Sequence, residues 1–416
     1  MNHLVVLGAG TAGTMVVNKL ARELELGQWD ITVVDQDLEH HYQPGYLFVP
    51  FGTYTRGDVV RPRRDYIPDR VHFVVGEVDV IDTEAREVRL TAGRALPYDQ
   101  LVIATGTTPR PDQTEGMLGK LWRDRVFDFY TLDGAVALNE ALNRFDGGRL
   151  VVHVTEMPIK CPVAPLEFTF LVESMLRERG LRERTELVYV TPLDGAFTKP
   201  VASKLLGDKL AEHGVIVETD FMIEHVDNDD PAIVSYDERR IPFDLLVTVP
   251  LNMGADFVGR SGLGDELNYV RVDQSTLQSV DHDNIFAIGD ASNIPASKAG
   301  SVAHFAAEVF VDNFLDHIQG KPMRHAFDGH ANCFVETGDG RGMLIDFNYD
   351  TQPLPGRYPI PGVGPFKLLE ESRLNHLGKL AFKPIYWNVL LRGRPVPLPT
   401  RMTMAGKISE EDVLTP

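Results

Sequence analysis

Leu4-Val5-Val6-Leu7-Gly8-Ala9-Gly10-Thr11-Ala12-Gly13 is the stretch on which the fold turns. Leu4 to Leu7 is a short apolar run bounded by glycine, the pattern of a buried strand in a parallel sheet. Met15, Val16, Val17, Leu20, Leu24 and Leu26 then predict a helix with a broad apolar face. Ile31-Thr32-Val33-Val34 reads as the next strand, and Asp35 ends it, 22 residues beyond Gly13 (35 − 13). That is close to the ~20 expected of an acid that accepts from ribose hydroxyls. Gly8 permits the tight turn, Gly10 lets the backbone approach a pyrophosphate, and Gly13 lets helix and strand pack closely. The helix N-terminus offers free N–H groups and partial positive charge to phosphates. Thr11, Ala12 and Gln36 fall among the expected dinucleotide contacts. The weaker alternative is an ordinary strand-turn-helix.

Around this motif lie 416 residues, with 60 acids against 41 lysines and arginines and two cysteines. The length suggests two or three domains, and an apolar fraction of 43% lets each bury a core. A formal net charge of -19 argues against nucleic acid as a partner, which needs a basic surface. Two cysteines exclude a disulfide scaffold and a four-cysteine zinc site, and no metal site is expected. No uncharged apolar run approaches the ~18 residues of a membrane span. Leu4 to Leu7 is too short for a signal-peptide core, so a cytoplasmic chain beginning at residue 1 is expected. No repeat of solenoid period is evident.

Two later segments bear on which dinucleotide binds. Tyr98-Asp99-Gln100 leads into Leu101-Val102-Ile103-Ala104-Thr105-Gly106, an apolar strand ending in a small-residue turn. Asn284-Ile285-Phe286-Ala287-Ile288-Gly289-Asp290 is another strand, ending in Gly-Asp. With the first fingerprint, this combination resembles the two-dinucleotide-binding-domain flavoproteins. That resemblance implies FAD, with Thr105, Gly106, Gly289 and Asp290 among its contacts. Otherwise Asp290 merely caps a helix from about Ser301 to Ile318.

A second glycine fingerprint, mid-chain, holds NAD(P)H in that superfamily. Here Arg149 to Val154 reads as the strand, and a helix begins near Leu166. The connection, Thr155-Glu156-Met157-Pro158-Ile159-Lys160-Cys161-Pro162-Val163-Ala164-Pro165, has no glycine and three prolines. Proline removes N–H donors, and side chains fill the space a pyrophosphate needs. The nicotinamide site therefore reads as lost, with a cysteine in its place. Lys160 and the nearby helix start are expected to lower the Cys161 pKa.

A glycine-free, proline-containing loop with one cysteine, and a second, Cys333, in the C-terminal third, is similar to the sulfide:quinone oxidoreductases. It also resembles the flavin subunit of flavocytochrome c sulfide dehydrogenases. The likeness includes Tyr42-Gln43-Pro44, Gly289-Asp290-Ala291-Ser292-Asn293, Pro295 and Ser297-Lys298-Ala299-Gly300. It implies that Cys161 and Cys333 flank a flavin and hold a chain of sulfur atoms. It implies FAD contacts at Pro44, Lys298 and Ala299, and Phe334 and Phe366 at a quinone pocket. Lys298 is expected to approach the flavin ring. Many members carry a third cysteine near a segment like Phe129-Tyr130-Thr131-Leu132. None stands there, so FAD is expected to be non-covalent. Some members place a histidine near Gly195-Ala196-Phe197-Thr198-Lys199. None is present, and Glu167 becomes the candidate proton carrier, against an ordinary N-terminal helix acid.

From Phe366 to Arg401 the composition reverses. Lys367, Arg373, Lys379, Lys383, Arg392, Arg394 and Arg401 face only Glu370 and Glu371, seven minus two, or +5. Phe366, Leu369, Leu377, Leu380, Phe382 and Trp387 interleave with them, which predicts a helix lying in a membrane interface. The alternative is a C-terminal helix packed on the core.

The expected architecture is α/β, two Rossmann-like dinucleotide-binding domains with a C-terminal membrane-interface segment. The FAD domain is discontinuous, 1–110 plus 241–325. Residues 111–240 form the second domain with its degenerate NAD site, and 326–416 form the C-terminal region. By the resemblance, the chain oxidises sulfide and reduces a membrane quinone at the cytoplasmic side of the cell membrane. The sequence leaves the oligomeric state open, a homo-oligomer included. The competing readings are a type II NADH:quinone oxidoreductase and a non-enzymatic flavin-binding redox sensor.

Overall fold

The computed structural model describes residues 1–360 and 362–408. Two five-stranded parallel sheets form its centre. The first runs in the order Ile285–Ala287, Gln100–Ile103, Asn2–Leu7, Trp29–Asp35, His72–Val75. The second runs Val126–Phe127, Leu245–Val249, Gly148–Val154, Thr185–Val190, Ile216–Glu218. Each is accompanied by a three-stranded antiparallel sheet, Val78–Asp82, Glu87–Leu90 and Ala95–Pro97 beside the first, and Ile223–Asp227, Ala232–Ser235 and Arg240–Pro242 beside the second. The helices of thirteen residues or more among the described residues are α1 (Thr11–Glu23), α2 (Leu132–Arg144), α3 (Ala164–Glu178), α4 (Pro200–Glu212), α5 (Gly300–Ile318) and α6 (Arg373–Ile385). This is the α/β arrangement of two dinucleotide-binding units. The central strands, as at residues 4–7 and 101–103 and in Leu245–Val249, are apolar runs buried on both faces, as in a parallel sheet covered on both sides.

The return to the first sheet falls later than residue 241. Leu245–Val249 pairs with Gly148–Val154 in the second sheet. The chain recrosses after it, where Asn252–Met253 pairs with Thr108–Pro109. A five-residue strand buried on both faces suits either sheet, so its composition could not assign it. Leu26, counted on the first helix, lies beyond its end and is exposed.

The C-terminal region builds a third sheet in the order Ala331–Gly338, Arg341–Phe347, Gly364–Leu368, Gly356–Ile360. Gly356–Ile360 and Gly364–Leu368 pair antiparallel as a hairpin. Helix α6 packs on this sheet and continues into a single π-turn, Tyr386–Leu390.

That segment corrects part of the membrane expectation. Trp387 is only 1% exposed, and Tyr386, Leu390 and Leu391 are buried with it. The indole packs on Tyr66 with ring centroids 5.2 Å apart, and the Arg61 guanidinium lies 4.6 Å from it. Three of the seven cations are also spent on ion pairs, Lys367 with Glu370, Lys379 with Glu167, and Lys383 with Asp58. The exposed apolar residues are instead Leu374, Leu377 and Ile385 on α6, with Ile360 and Val363 near the hairpin turn. No helix among the described residues is long and apolar enough to cross a membrane.

Removing the Trp387 side chain from this buried site empties a large cavity. Trp387→Ala is expected to cost about 3–5 kcal/mol of stability, read from denaturant unfolding. A cost below ~1 kcal/mol would mean that the indole is not a core residue.

Candidate active site

Gly8 turns with φ +92°, and a Cβ there would meet the Ala104 carbonyl oxygen at 2.5 Å, so only glycine fits. A Cβ on Gly13 would stand 1.9 Å from the Gly8 oxygen, which is the close helix–strand approach its place demands. Gly10 meets nothing within 4 Å. Its open side faces a cleft of about 860 Å³. Gly8, Gly10, Thr11, Ala12, Asp35, Gln36, Pro44, Thr105, Gly106, Gly289, Asp290, Lys298 and Ala299 line that cleft. So do Cys161 and Glu167, while Gly13 stands behind it.

The residues present fit a dinucleotide. The glycine cradle leaves backbone room, the N-terminus of α1 points into the cleft, and the buried Thr105 hydroxyl has no partner of its own. Asp35 is less free than expected. Its Oδ2 accepts from the Ala9 amide at 2.7 Å and pairs with Arg63 at 3.0 Å. Arg63 is buried and also donates to the carbonyls of Asp37 and Glu39, so it fixes the acid's orientation.

Gly289 is left-handed at φ +65°, and a Cβ there would approach Ala12 at 3.0 Å. Asp290 does not cap α5, whose N-cap is Ala299. Burial raises its carboxyl pKa, opposed by Lys298 and Lys160. The Lys298 ammonium donates to the carbonyls of Asp290 and Ser292 at 2.9 and 3.0 Å and sits 3.7 Å from the Tyr269 ring centroid. Burial lowers its pKa to about 8. This lysine therefore holds the Gly-Asp turn in shape, and both donors named here are committed to the backbone.

The loop that replaces the second fingerprint is pinned to that turn. The Cys161 amide donates to the Lys298 carbonyl at 2.6 Å, and the Tyr130 hydroxyl donates to the Cys161 carbonyl at 3.0 Å. Cys161 itself takes a left-handed φ of 49°, uncommon for a side chain with a Cβ. The expected lowering of its pKa is overturned. Burial pushes the thiol well above its usual value, and nearby Glu167 pushes it further. Lys160 does not offset this, because its ammonium turns to Gln43 Oε1 at 2.9 Å. Burial likewise pushes the Cys333 thiol up to about 12. Both cysteines are free and half-buried.

Cys333 sits in the strand Ala331–Gly338, opposite Ile345. It does not line the cleft itself, nor do Phe334 and Phe366. The two phenylalanines meet edge to face at 5.1 Å, seated over Gly378, where a Cβ would strike both rings.

Lys379 joins the two cysteine regions, and sequence reasoning had placed it on a membrane face. It ion-pairs with fully buried Glu167 and donates to the Phe334 carbonyl at 3.0 Å. Glu167 Oε1 also accepts from the Glu336 amide at 2.7 Å, while its buried Oε2 has no partner. Burial raises the Glu167 pKa, and the surrounding acids raise that of Lys379. The pair lies near enough to both thiols to act on them electrostatically. A second cavity, about 650 Å³, lies between Met157–Pro162, Ala296–Lys298 and Phe347–Tyr349. No cluster suited to a metal ion occurs among the described residues.

Residues 2–153 match the family model described as pyridine nucleotide-disulphide oxidoreductase. The chain is 27% identical, over 95% of its length, to the mitochondrial sulfide:quinone oxidoreductase of Dictyostelium discoideum, and covers 87% of that protein. It is 25% identical to a type II NADH:quinone oxidoreductase of Staphylococcus aureus, over 85% of this chain and 91% of that one. The solved sulfide:quinone oxidoreductase of Aquifex aeolicus superposes with a TM-score of 0.78 over 95% of this chain and 92% of its own, at 18% identity, a likeness of fold. Fold and cleft define a flavin-dependent oxidoreductase of the pyridine nucleotide-disulphide class. Within that class, the chain is similar over 82–95% of its length to sulfide:quinone oxidoreductases, at 22–27% identity.

Raised thiol pKa values carry a sign. Both thiols stay protonated where a free cysteine, at about 8.5, is half ionised. Alkylation by iodoacetamide of the native protein should therefore be slow at pH 7 and climb about tenfold per unit up to pH 10. A rate already level by pH 8 would contradict the burial argument.

Proposed function

We propose that this protein oxidises sulfide between Cys161 and Cys333 and passes the electrons through non-covalent FAD to a membrane quinone. The observation that carries it is the loop at 155–165. Where the superfamily's nicotinamide-binding glycines belong, a proline-rich turn presents Cys161 to the flavin cleft.

Hydrosulfide attacks a sulfur bridging the two cysteines. A bond forms from the hydrosulfide to the bridging sulfur as that sulfur's bond to one cysteine breaks, giving a hydrotrisulfide chain on the other cysteine and a thiolate. The thiolate then closes on the terminal sulfur of that chain, and two electrons and one proton leave. FAD, when bound, supplies the two-electron relay between that sulfur pair and quinone. Quinone takes up the two electrons and two protons. Glu167 and Lys379 suit the proton traffic, because they hold an exchangeable proton away from water and beside both cysteines. Tyr130 and Lys298 hold the Cys161 backbone in register with the cleft. Phe334 and Phe366 offer aromatic faces for a quinone ring. The two-domain flavin unit with the C-terminal region at 326–408 completes one catalytic body on the cytoplasmic side of the membrane.

Anaerobic addition of sulfide should bleach the flavin within seconds, and NADH should leave it oxidised. Bleaching by NADH alone would favour the NADH:quinone reading, for which relatives also exist. Cys161→Ala and Cys333→Ala should each lose most quinone reduction while remaining folded. A variant at near-full turnover would make its cysteine structural.

Membrane contact is assigned to the exposed apolar residues of α6 and the hairpin. Leu374→Asp with Leu377→Asp should detach the protein from vesicles and slow reduction of a long-tailed quinone. Stability should change little, because both side chains are largely exposed, at 43% and 56%. Flavin bleaching by sulfide should be untouched. Unchanged vesicle binding would remove these leucines from the interface.

A further inference from the structure

The C-terminal segment touches the dinucleotide loop through one hydroxyl. Tyr386, in the π-turn after α6, is buried and lines the flavin cleft. Its hydroxyl lies 2.8 Å from Thr11 Oγ1 and 2.7 Å from His40 Nε2. His40 Nδ1 lies 3.2 Å from the Ala9 carbonyl oxygen.

The direction of every bond in this chain is fixed. A carbonyl oxygen only accepts, so Nδ1 of His40 carries a hydrogen. Burial, with Arg63 nearby, pushes the His40 pKa down to about 3, so the ring is neutral and Nε2 is bare. Nε2 then accepts from the Tyr386 hydroxyl. The Tyr386 oxygen in turn accepts from the Thr11 hydroxyl. Thr11 is the first residue of α1, at the N-terminus where a pyrophosphate is expected.

The same segment grips the far end of that helix. Arg22 donates to the Gly393 carbonyl at 2.8 Å. Gly393, at φ +59°, approaches so closely that a Cβ would stand 3.0 Å from Asn18 and 3.1 Å from Lys19. Tyr386 to Gly393 is therefore a strap along α1, from its phosphate end to its last turn.

We propose that Tyr386 is a positioning residue for FAD, and that the bound dinucleotide and this strap hold each other in place. Without the Tyr386 oxygen, the Thr11 hydroxyl loses its acceptor and turns, and the first turn of α1 is no longer set for the phosphates. Linkage makes the effect reciprocal, so bound FAD holds the strap down. The inference rests on the FAD reading of the cleft.

The test measures FAD release from the holoenzyme by the rise in flavin fluorescence. Tyr386→Phe keeps the ring and loses only the oxygen, and should release FAD about tenfold faster. Thr11→Val should behave alike, and Thr11→Ser, which restores the hydroxyl, should return to the wild-type rate. The double variant Tyr386→Phe with Thr11→Val should be little faster than either alone, because both remove one bond. Trypsin cleavage after Arg392 should be faster in Tyr386→Phe holoenzyme than in wild type. Release unchanged in Tyr386→Phe, or full additivity in the double variant, overturns the proposal. A wild-type protein that purifies without flavin would instead overturn the FAD reading itself.

Discussion

The buried contact between Glu167 and Lys379 is the constraint around which the parts of the molecule assemble. Glu167 belongs to α3, next to the second parallel sheet, and Lys379 to α6 of the C-terminal region. The strand Ala331–Gly338 adds the Glu336 amide and the Phe334 carbonyl. Three elements from two parts of the chain thus meet on two side chains. A buried ion pair is a poor way to gain stability, since desolvation offsets most of its attraction, and an apolar pair of similar volume would hold as well. Removing one partner costs about 3–5 kcal/mol, because the other is left charged and dry. Retaining such a pair makes sense where a proton must be kept beside a reacting centre. The buried, unpartnered Oε2 of Glu167, on a residue that lines the cleft, fits that use.

The geometry at Cys161 follows from what the replaced loop lost and gained. Glycines would have left room for phosphate and no fixed side chain. The loop found here is tied at the Cys161 amide and carbonyl to two other segments, and accepts a left-handed φ at a residue with a Cβ. Strain of this kind persists only when surrounding contacts over-determine it. The high thiol pKa is the corresponding electrostatic penalty of a dry site, and it argues that the resting cysteines are poor nucleophiles as free thiols. A sulfur bridge between them would carry no such penalty, since it has no charge to desolvate.

Much of the fold was legible because it rests on local rules. Gly8 and Gly13 do what their spacing predicted, Gly10 leaves open space on the cleft, and the strands around them appear where apolar runs ended in small residues. The lining of the cleft was legible for the same reason. The sequence could not say where Lys379, Tyr386 and Trp387 point, because their partners lie 212, 375 and more than 300 residues away. Nor could it give the sign of the Cys161 shift. A neighbouring lysine in sequence counts for nothing if its ammonium turns to Gln43, and burial then decides.

Helix α6 departs in part from the usual rule for a helix on a globular protein. Asn375 and Lys379 turn inward beside Leu380 and Phe382, and Tyr386 follows in the π-turn, while Leu374, Leu377, Ala381 and Ile385 turn outward. In water this orientation is unfavourable on both faces, since apolar area is exposed and polar groups are desolvated. The inward face is compensated by partners, as every polar group named there has one. The outward face is left exposed at Leu374, Leu377 and Ile385, and a lipid surface, as proposed above, would cover it without a partner of matching shape. Composition alone gives the same segment with its basic residues outward, toward lipid headgroups. The structure keeps the apolar stripe outward and ties Lys379 to buried Glu167, so the bilayer contact proposed for this helix would rest more on the leucines than on charge.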